Sequence, residues 1–214
     1  MKLDQIKKIK KNILNKKKLK FLNCAIKHVP FEGWNDGIFS TIAKDFKIKT
    51  QDVSSLFSGK YLELLKFYLE KNELEMITNS KKLNLNNLKT HEKIYEIIIQ
   101  RFEKNYRNKE LIRKTLIALS LPQNLKLGIS SLFKTIDNIW YLTGDKSTDF
   151  NFYTKRMILA PIYSSSLLFW IKDGSKDSKN TKKFLIKKLK NTSIIKKIKY
   201  SITDICNKIP NFVN

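Results

Sequence analysis

The chain has 214 residues, 42% of them hydrophobic, and a formal net charge of +24. That length allows one domain, or one domain with a tail, around a genuine core. Six Gly and four Pro are few for an all-β chain of this size. The charge fits a phosphate-bearing partner, either nucleic acid or anionic lipid. It also fits a composition rich in Lys, Asn and Ile. Arg stands only at 101, 107, 113 and 156, so the bidentate contacts that read phosphates and guanines are scarce and sequence-specific DNA reading is disfavoured. Cys24 and Cys206 are far apart and form no CxxC pair, which predicts free thiols in a reducing compartment. The basic start runs into KKNILNKKKLK without an apolar core, so no secretory signal is expected. The longest apolar run, 157–171, is broken by Pro161 and Ser164-Ser165-Ser166 and falls short of the ~20 residues a spanning helix needs. A soluble or peripheral protein is expected.

Helical periodicity runs through the chain, with no convincing period-2 strand and no internal repeat. Residues 1–15 read as a basic N-terminal extension. Residues 16–28 form the first core helix, with Leu22, Ala25 and Ile26 inward. HVPFEGWN at 28–35 is a loop. Short helices follow at 36–45 and 50–57, joined by residues 46–49. Thr50 is the expected N-cap, and Gly59 marks the end of the second short helix. A long helix covers 60–78, with Leu62, Leu65, Leu69 and Met76 on one stripe. The polar stretch 80–89 is a loop. Helices are expected over 90–105 and 108–120, then over 122–142, with Pro122 in its first turn. In that last helix Ile129, Leu132, Phe133, Ile136, Ile139 and Trp140 keep a 3-4 spacing. Another long helix covers 150–171, with a kink at Pro161. Helices at 177–190 and 193–208 close the chain.

Residues 36–69, DGIFSTIAKDFKIKTQDVSSLFSGKYLELLKFYL, resemble the N-terminal helix-turn-helix of TetR-type regulators. A compact three-helix corner burying Ile42, Phe46, Val53 and Phe57 reads the same way. The second short helix offers Gln51, Ser54 and Ser55 toward bases, but also Asp52, and no basic residue before Lys60.

Catalytic signals are sparse. His28 and His91 are the only histidines and fall on different predicted helices. No HExxH, paired ExxH, GxxxxGK[ST], GxGxxG or GxSxG occurs. Asp145 and Asp149 are candidates for an acid–base pair, or for turn formation and capping of the helix at 150. The expectation is a protein that is not an enzyme and carries no cofactor or metal.

The segment 137–156, DNIWYLTGDKSTDFNFYTKR, is the most informative. An apolar helix ends in Trp140 and Tyr141, a polar turn follows, and the next helix opens on Phe150, Phe152 and Tyr153. Burial alone does not require three rings at a solvated helix entrance. LPQN at 121–124, Asp137 with Trp140, Gly144-Asp145, residues 147–151, residues 153–156, Ile162-Tyr163 and HVPFEGW at 28–34 together resemble one family over roughly residues 20–190. It is the lipid-binding accessory proteins of ubiquinone biosynthesis, the ninth of the Coq proteins.

The resemblance implies an all-α, TetR-like bundle of about nine to ten helices in which the ligand-binding half is used and DNA reading is lost. It implies an isoprenoid or quinone lipid held between helices. It also implies a partner, the di-iron demethoxyubiquinone hydroxylase, to which the lipid is presented. The partner patch carried over comprises Asp137, Ile139, Trp140, Asp149, Phe152, Tyr153 and Arg156. The family usually has Trp where Phe152 stands, often Met where Ile139 stands, and Ala where Pro161 stands. The expected cavity wall is Leu132, Phe133, Ile136, Leu159, Ile162, Leu167 and Leu168.

Residues 176–200 carry ten Lys. From Ile195 the apolar steps run 3, 4, 3 and 4 through Ile198, Ile202, Ile205 and Ile209. A Lys-rich face opposite such a stripe suits an anionic membrane surface, through Lys187, Lys188, Ile195, Lys196, Lys197, Ile198 and Ile202. The stripe equally suits docking on the protein's own core or on a second copy.

The expected organisation is an extension at 1–15 and a TetR-like domain at 16–190, divided into a helix-turn-helix-like part at 16–60 and a ligand-binding part at 61–190. A basic amphipathic tail covers 191–214. A homodimer with no nucleic-acid partner is expected, peripheral on the inner face of a bacterial plasma membrane, or on the matrix side in a mitochondrion although no transit peptide is seen. The rival readings are a TetR-like DNA-binding regulator and a catalyst of quinone modification.

Overall fold

A computed structural model describes residues 2–148 and 150–191, with side chains from residue 14 onward. These residues form nine α-helices joined by turns and four short 3-10 segments, and no strand occurs among them. The helices are α1 (Lys2–Glu32), α2 (Ile38–Phe46), α3 (Thr50–Ser54), α4 (Tyr61–Ser80), α5 (Thr90–Lys104), α6 (Lys109–Ser120), α7 (Leu125–Leu142), α8 (Phe150–Lys172) and α9 (Lys179–Lys190). The all-α expectation holds, and the predicted order of helices is the observed one as far as Lys190. The helix predicted at 193–208 lies outside the described residues.

Several boundaries differ from expectation. The extension at 1–15 and the first core helix are one helix, α1, which continues through Pro30 to Glu32 and so absorbs the predicted loop as far as Glu32. Lys49, not Thr50, is the N-cap of α3. Pro122 opens a 3-10 turn before α7 rather than the helix itself. α8 continues through Pro161 to Lys172, one residue beyond the predicted end.

Two compact units emerge, neither of them a single stretch of chain. One comprises residues through Leu74 with Asn108–Ser131; the other comprises Glu75–Arg107 with residues from Leu132 on. The contacts therefore divide the chain differently from the sequence boundary at 60/61.

In the first unit, Leu22, Ala25 and Val29 of α1 bury against Ile38 and Ile42 of α2, Val53, Phe57, and Leu64 and Leu65 of α4. Each fully buried Leu, Ile, Val or Phe among them contributes ~1.5–3 kcal/mol of transfer free energy. Phe46 is the exception among the predicted corner residues: it stays exposed, edge-on to Phe21 at 5.1 Å between centroids. Polar side chains fix the entries of the helices. The Asp36 carboxylate accepts the backbone N–H of Tyr61 at 2.7 Å, satisfying one of the free donors at the start of α4. Ser58 and Gly59 both take positive φ, and the Gly59 N–H donates back to Ser54. The buried Trp34 indole donates to Thr115 at 3.0 Å.

In the second unit, Phe102 of α5 stacks on Trp170 of α8 at 5.0 Å and tilts against Tyr163 at 6.1 Å. Ile97, Ile98, Ile136, Leu159 and Leu185 complete the buried centre. Asp173, buried after α8, accepts the Thr181 N–H at 2.8 Å and the Ser175 N–H at 2.9 Å, tying the start of α9 to the end of α8.

Candidate functional site: the corner between α7 and α8

The polar turn after Leu142 folds as its sequence dictates. Gly144 adopts φ +86, its N–H donates to Tyr141, and the Asp145 N–H reaches back to Trp140 at 3.1 Å. This pair of bonds is the Schellman closure of a helix, which needs a left-handed residue at the position of Gly144. The Asp145 carboxylate is thereby turned inward.

Asp145 is the hub of the corner. Its carboxylate accepts the Lys155 ammonium at 2.7 Å and the Ser147 hydroxyl at 2.9 Å, with the Arg156 guanidinium at 3.5 Å. Burial works against its charge, but the hydrogen bonds from Lys155 and Ser147 outweigh it and hold the carboxyl below the usual range. Arg156 is only 8% exposed. It donates through Nε to Asp137 at 2.8 Å and through Nη1 to the Phe152 carbonyl at 3.0 Å, with a further bond from Nη2 to Asp137. Its guanidinium lies 3.3 Å from the centre of the Phe152 ring. Trp140 is half-buried; its indole donates to the Lys155 carbonyl, and the Lys155 ammonium stands over its ring. These four charges knit the last turns of α7 to the first turns of α8.

Outside this lattice stands a ring-rich face. Phe150 is 53% exposed, Tyr153 65% and Met157 61%. Spaced three and four residues apart, they share one side of α8. Tyr141, at the end of α7, is exposed as well. Beside it an open groove of about 490 Å³ is lined by Asp137, Asn138, Tyr141, Lys146, Thr148, Phe152 and the Asp145–Arg156 pair. The groove offers carboxylate, ammonium and aromatic surface together.

The residues expected in the partner patch therefore divide. Asp137 and Tyr153 are exposed and Phe152 lies half-buried under Arg156. Ile139 is wholly buried, so it packs the core rather than facing a partner. Arg156 and Trp140 hold the corner together from inside. Asp149 lies outside the described residues. Tyr141, Phe150 and Met157 belong to the exposed face, and Asp145, Ser147 and Lys155 belong to its support; none of these was in the expected patch. The signal for the last three was present in the G-D-x-S spacing followed by Lys-Arg on the next helix.

The expected cavity wall is similarly divided. Ile136 and Leu159 are buried and Leu132, Ile162 and Leu167 partly so. Phe133 (44%) and Leu168 (57%) stand on the surface rather than around an enclosed hollow. Ser166 is wholly buried, and its hydroxyl has no hydrogen-bond partner among the described residues. Of the expected membrane residues, Lys187 and Lys188 are exposed on α9, while Leu185 and Leu189 of the same helix are buried. Ile195, Lys196, Lys197, Ile198 and Ile202 lie outside the described residues. Among the described residues no helix is long and apolar enough to cross a membrane.

Comparison with known proteins bears on this corner directly. The family model described as COQ9 matches residues 125–196, so that α7, α8 and α9 fall within the COQ9 match. A Dictyostelium discoideum protein named as a probable ubiquinone biosynthesis protein coq9, mitochondrial, is 29% identical over 86% of this chain and 61% of its own length. The Rattus norvegicus ubiquinone biosynthesis protein COQ9, mitochondrial, is 43% identical over 34% of this chain and 23% of its own length. The chain thus spans less than two thirds of these relatives. In three dimensions it matches the crystal structure of a TetR transcriptional regulator from Nitrosomonas europaea, with a TM-score of 0.66 and 15% identity, over 81% of this chain and 95% of that one. The fold is TetR-like.

Proposed function

From the COQ9 domain at 125–196, we propose that this chain is a non-enzymatic lipid-binding protein of ubiquinone biosynthesis. It binds a polyprenylated quinone intermediate and presents it to the demethoxyubiquinone hydroxylase. The observation that carries the partner half of this proposal is the exposed row of Phe150, Tyr153 and Met157, held in place by the Asp137–Arg156–Asp145–Lys155 lattice. Exposed aromatic and Met side chains on a rigid base are the composition of binding hot spots. They stand beside the groove, where Asp137 adds a charge that a basic partner residue can meet.

Support for the lipid half is the Ser166 hydroxyl, a buried donor among the apolar side chains of α8 that a quinone oxygen can satisfy. Lys187 and Lys188 lie on the exposed side of α9 and suit an anionic bilayer. The relatives' names place those proteins in mitochondria, which favours the matrix side over a bacterial cytoplasm as the site of action. A homodimer is part of the same proposal.

One experiment tests both halves. The untagged chain is purified with its lipids, analysed by native mass spectrometry, and used to capture the hydroxylase. Wild type carries a polyprenylated species and retains the enzyme. Tyr153→Lys keeps its helical content and its lipid but loses capture. Lipid-free wild type, or undiminished capture by Tyr153→Lys, refutes the corresponding half.

A further inference from the structure

The first unit holds a cluster to which the quinone reading assigns nothing. Cys24 and His28 are four residues apart on α1 and so project from one face. Asp45, near the end of α2, reaches between them. Its Oδ2 accepts the Cys24 thiol at 3.2 Å and lies 2.8 Å from His28 Nε2. The sulfur, the imidazole nitrogen and a carboxylate oxygen all lie within 4.8 Å of one another. No other group of this kind occurs among the described residues.

We propose that Cys24, His28 and Asp45 form a three-ligand site for a thiophilic divalent cation of the zinc class, which pins α1 to α2. Metal–ligand bonds of ~2.0–2.3 Å at tetrahedral angles separate ligand atoms by roughly 3.3–3.6 Å. The present sulfur–oxygen and nitrogen–oxygen separations need open by only a few tenths of an ångström, whereas sulfur and nitrogen, within 4.8 Å of each other, must close by up to about 1.3 Å through side-chain rotation. With the thiol ionised and the imidazole neutral, the donors bring two negative charges to a doubly charged cation. Sulfur with imidazole selects zinc, cobalt or copper over magnesium and calcium, which require oxygen ligands. Behind the histidine stands a further carboxylate. His28 Nδ1 faces Glu32 Oε1 at 3.9 Å, and Thr41 donates to the other oxygen of Glu32 at 3.1 Å. A carboxylate behind a ligating histidine fixes its orientation. His28 and Asp45 are partly open to solvent, leaving an entry path and a fourth position for water.

The test is titration of the untagged, reduced full chain with Co2+, followed by Zn2+. One equivalent of Co2+ produces a thiolate charge-transfer band that Zn2+ abolishes, and Zn2+ raises Tm. The band is lost in Cys24→Ser and intact in Cys206→Ser. In His28→Gln, a change at a partly exposed position that leaves the core intact, cobalt affinity falls at least tenfold. Absence of the band in wild type, its dependence on Cys206 instead of Cys24, or unaltered affinity in His28→Gln overturns the site.

Discussion

Replacing Arg156 with Met separates support from surface at the α7–α8 corner. Met conserves much of the buried length but removes every donor. The loss begins with the charged hydrogen bond to the Phe152 carbonyl, worth ~1.5–3 kcal/mol. The guanidinium–ring contact adds ~0.5–2 kcal/mol. The Asp137 pair adds little, ~0.2–1 kcal/mol, because that carboxylate is more than half exposed. Against these stands the cost of burying a guanidinium, which Met avoids. Breaking a buried pair costs ~3–5 kcal/mol when the remaining charge is stranded; here Lys155 and Ser147 still serve Asp145. A net loss of ~2–4 kcal/mol follows. At ~2–4 °C per kcal/mol for a chain of this size, Tm falls by roughly 9 °C.

Thermal melting followed by far-ultraviolet circular dichroism measures that loss, with Arg156→Lys as the control. Lysine keeps the charge but offers one compact donor group in place of a planar fork. It cannot meet Asp137 and the Phe152 carbonyl together while lying flat on the ring, so it recovers less than half of the deficit. Tyr153→Lys, on the open side of the same helix, leaves Tm within about 2 °C, as surface substitutions do. A melting temperature for Arg156→Met within 2 °C of wild type, or complete recovery by Lys, contradicts the assignment of Arg156 to the support.

Two further outcomes follow from the same corner and its neighbour. Gly144→Ala meets no atom within 4 Å, so its cost is purely that of a side chain at φ +86; about 1–2 kcal/mol is expected, read as a lowered urea midpoint. For acid stability, Asp145 and Asp173 both titrate below their usual value. In each, burial opposes the charge while hydrogen bonds prevail, from Lys155 and Ser147 in one and from Thr181 and Ser175 in the other. Their contribution is complete above the unfolded carboxylate value of ~3.9 and is lost as pH falls through the lower folded values. The urea midpoint therefore drops steeply between about pH 4 and pH 2, and Asp173→Asn flattens that limb; an equally steep limb in the variant would count against the capping bonds.

Helix type and order are legible in this sequence because the apolar residues keep a 3-4 spacing through nearly every segment, and side chains such as Leu22, Ile136 and Leu65 sit inside as that spacing requires. Boundaries are less legible. Pro30 reads as a loop marker, yet a proline removes a single donor and α1 carries on past it to Glu32. Ile139 fits an apolar surface patch as well as a core in sequence, since the residue type is the same in both; only packing distinguishes them. The metal-type cluster is invisible for a different reason: Cys24 and His28 show helical spacing, but Asp45 joins them only when α2 folds back on α1. Phe133 and Leu168 illustrate the converse, apolar residues on core-like spacing that the fold leaves outside.

The corner motif contains two kinds of residue with opposite tolerances. Asp145, Ser147, Lys155 and Arg156 satisfy one another, so the energy of each depends on the others, and single changes there are strongly non-additive. Phe150, Tyr153 and Met157 stand on the open side of that lattice, Tyr153 edge-on to the Phe152 ring at 5.2 Å, so they vary without unfolding it. Under the proposed function, a change in either set weakens capture of the hydroxylase: the first by letting α7 and α8 drift, the second by removing contact area. Stability separates them. Loss of capture accompanied by a lowered Tm points to the charge lattice, and loss of capture at unchanged Tm points to the rings. A double substitution of Arg156 and Asp145 that costs little more than Arg156 alone would establish that the two act as one structural element.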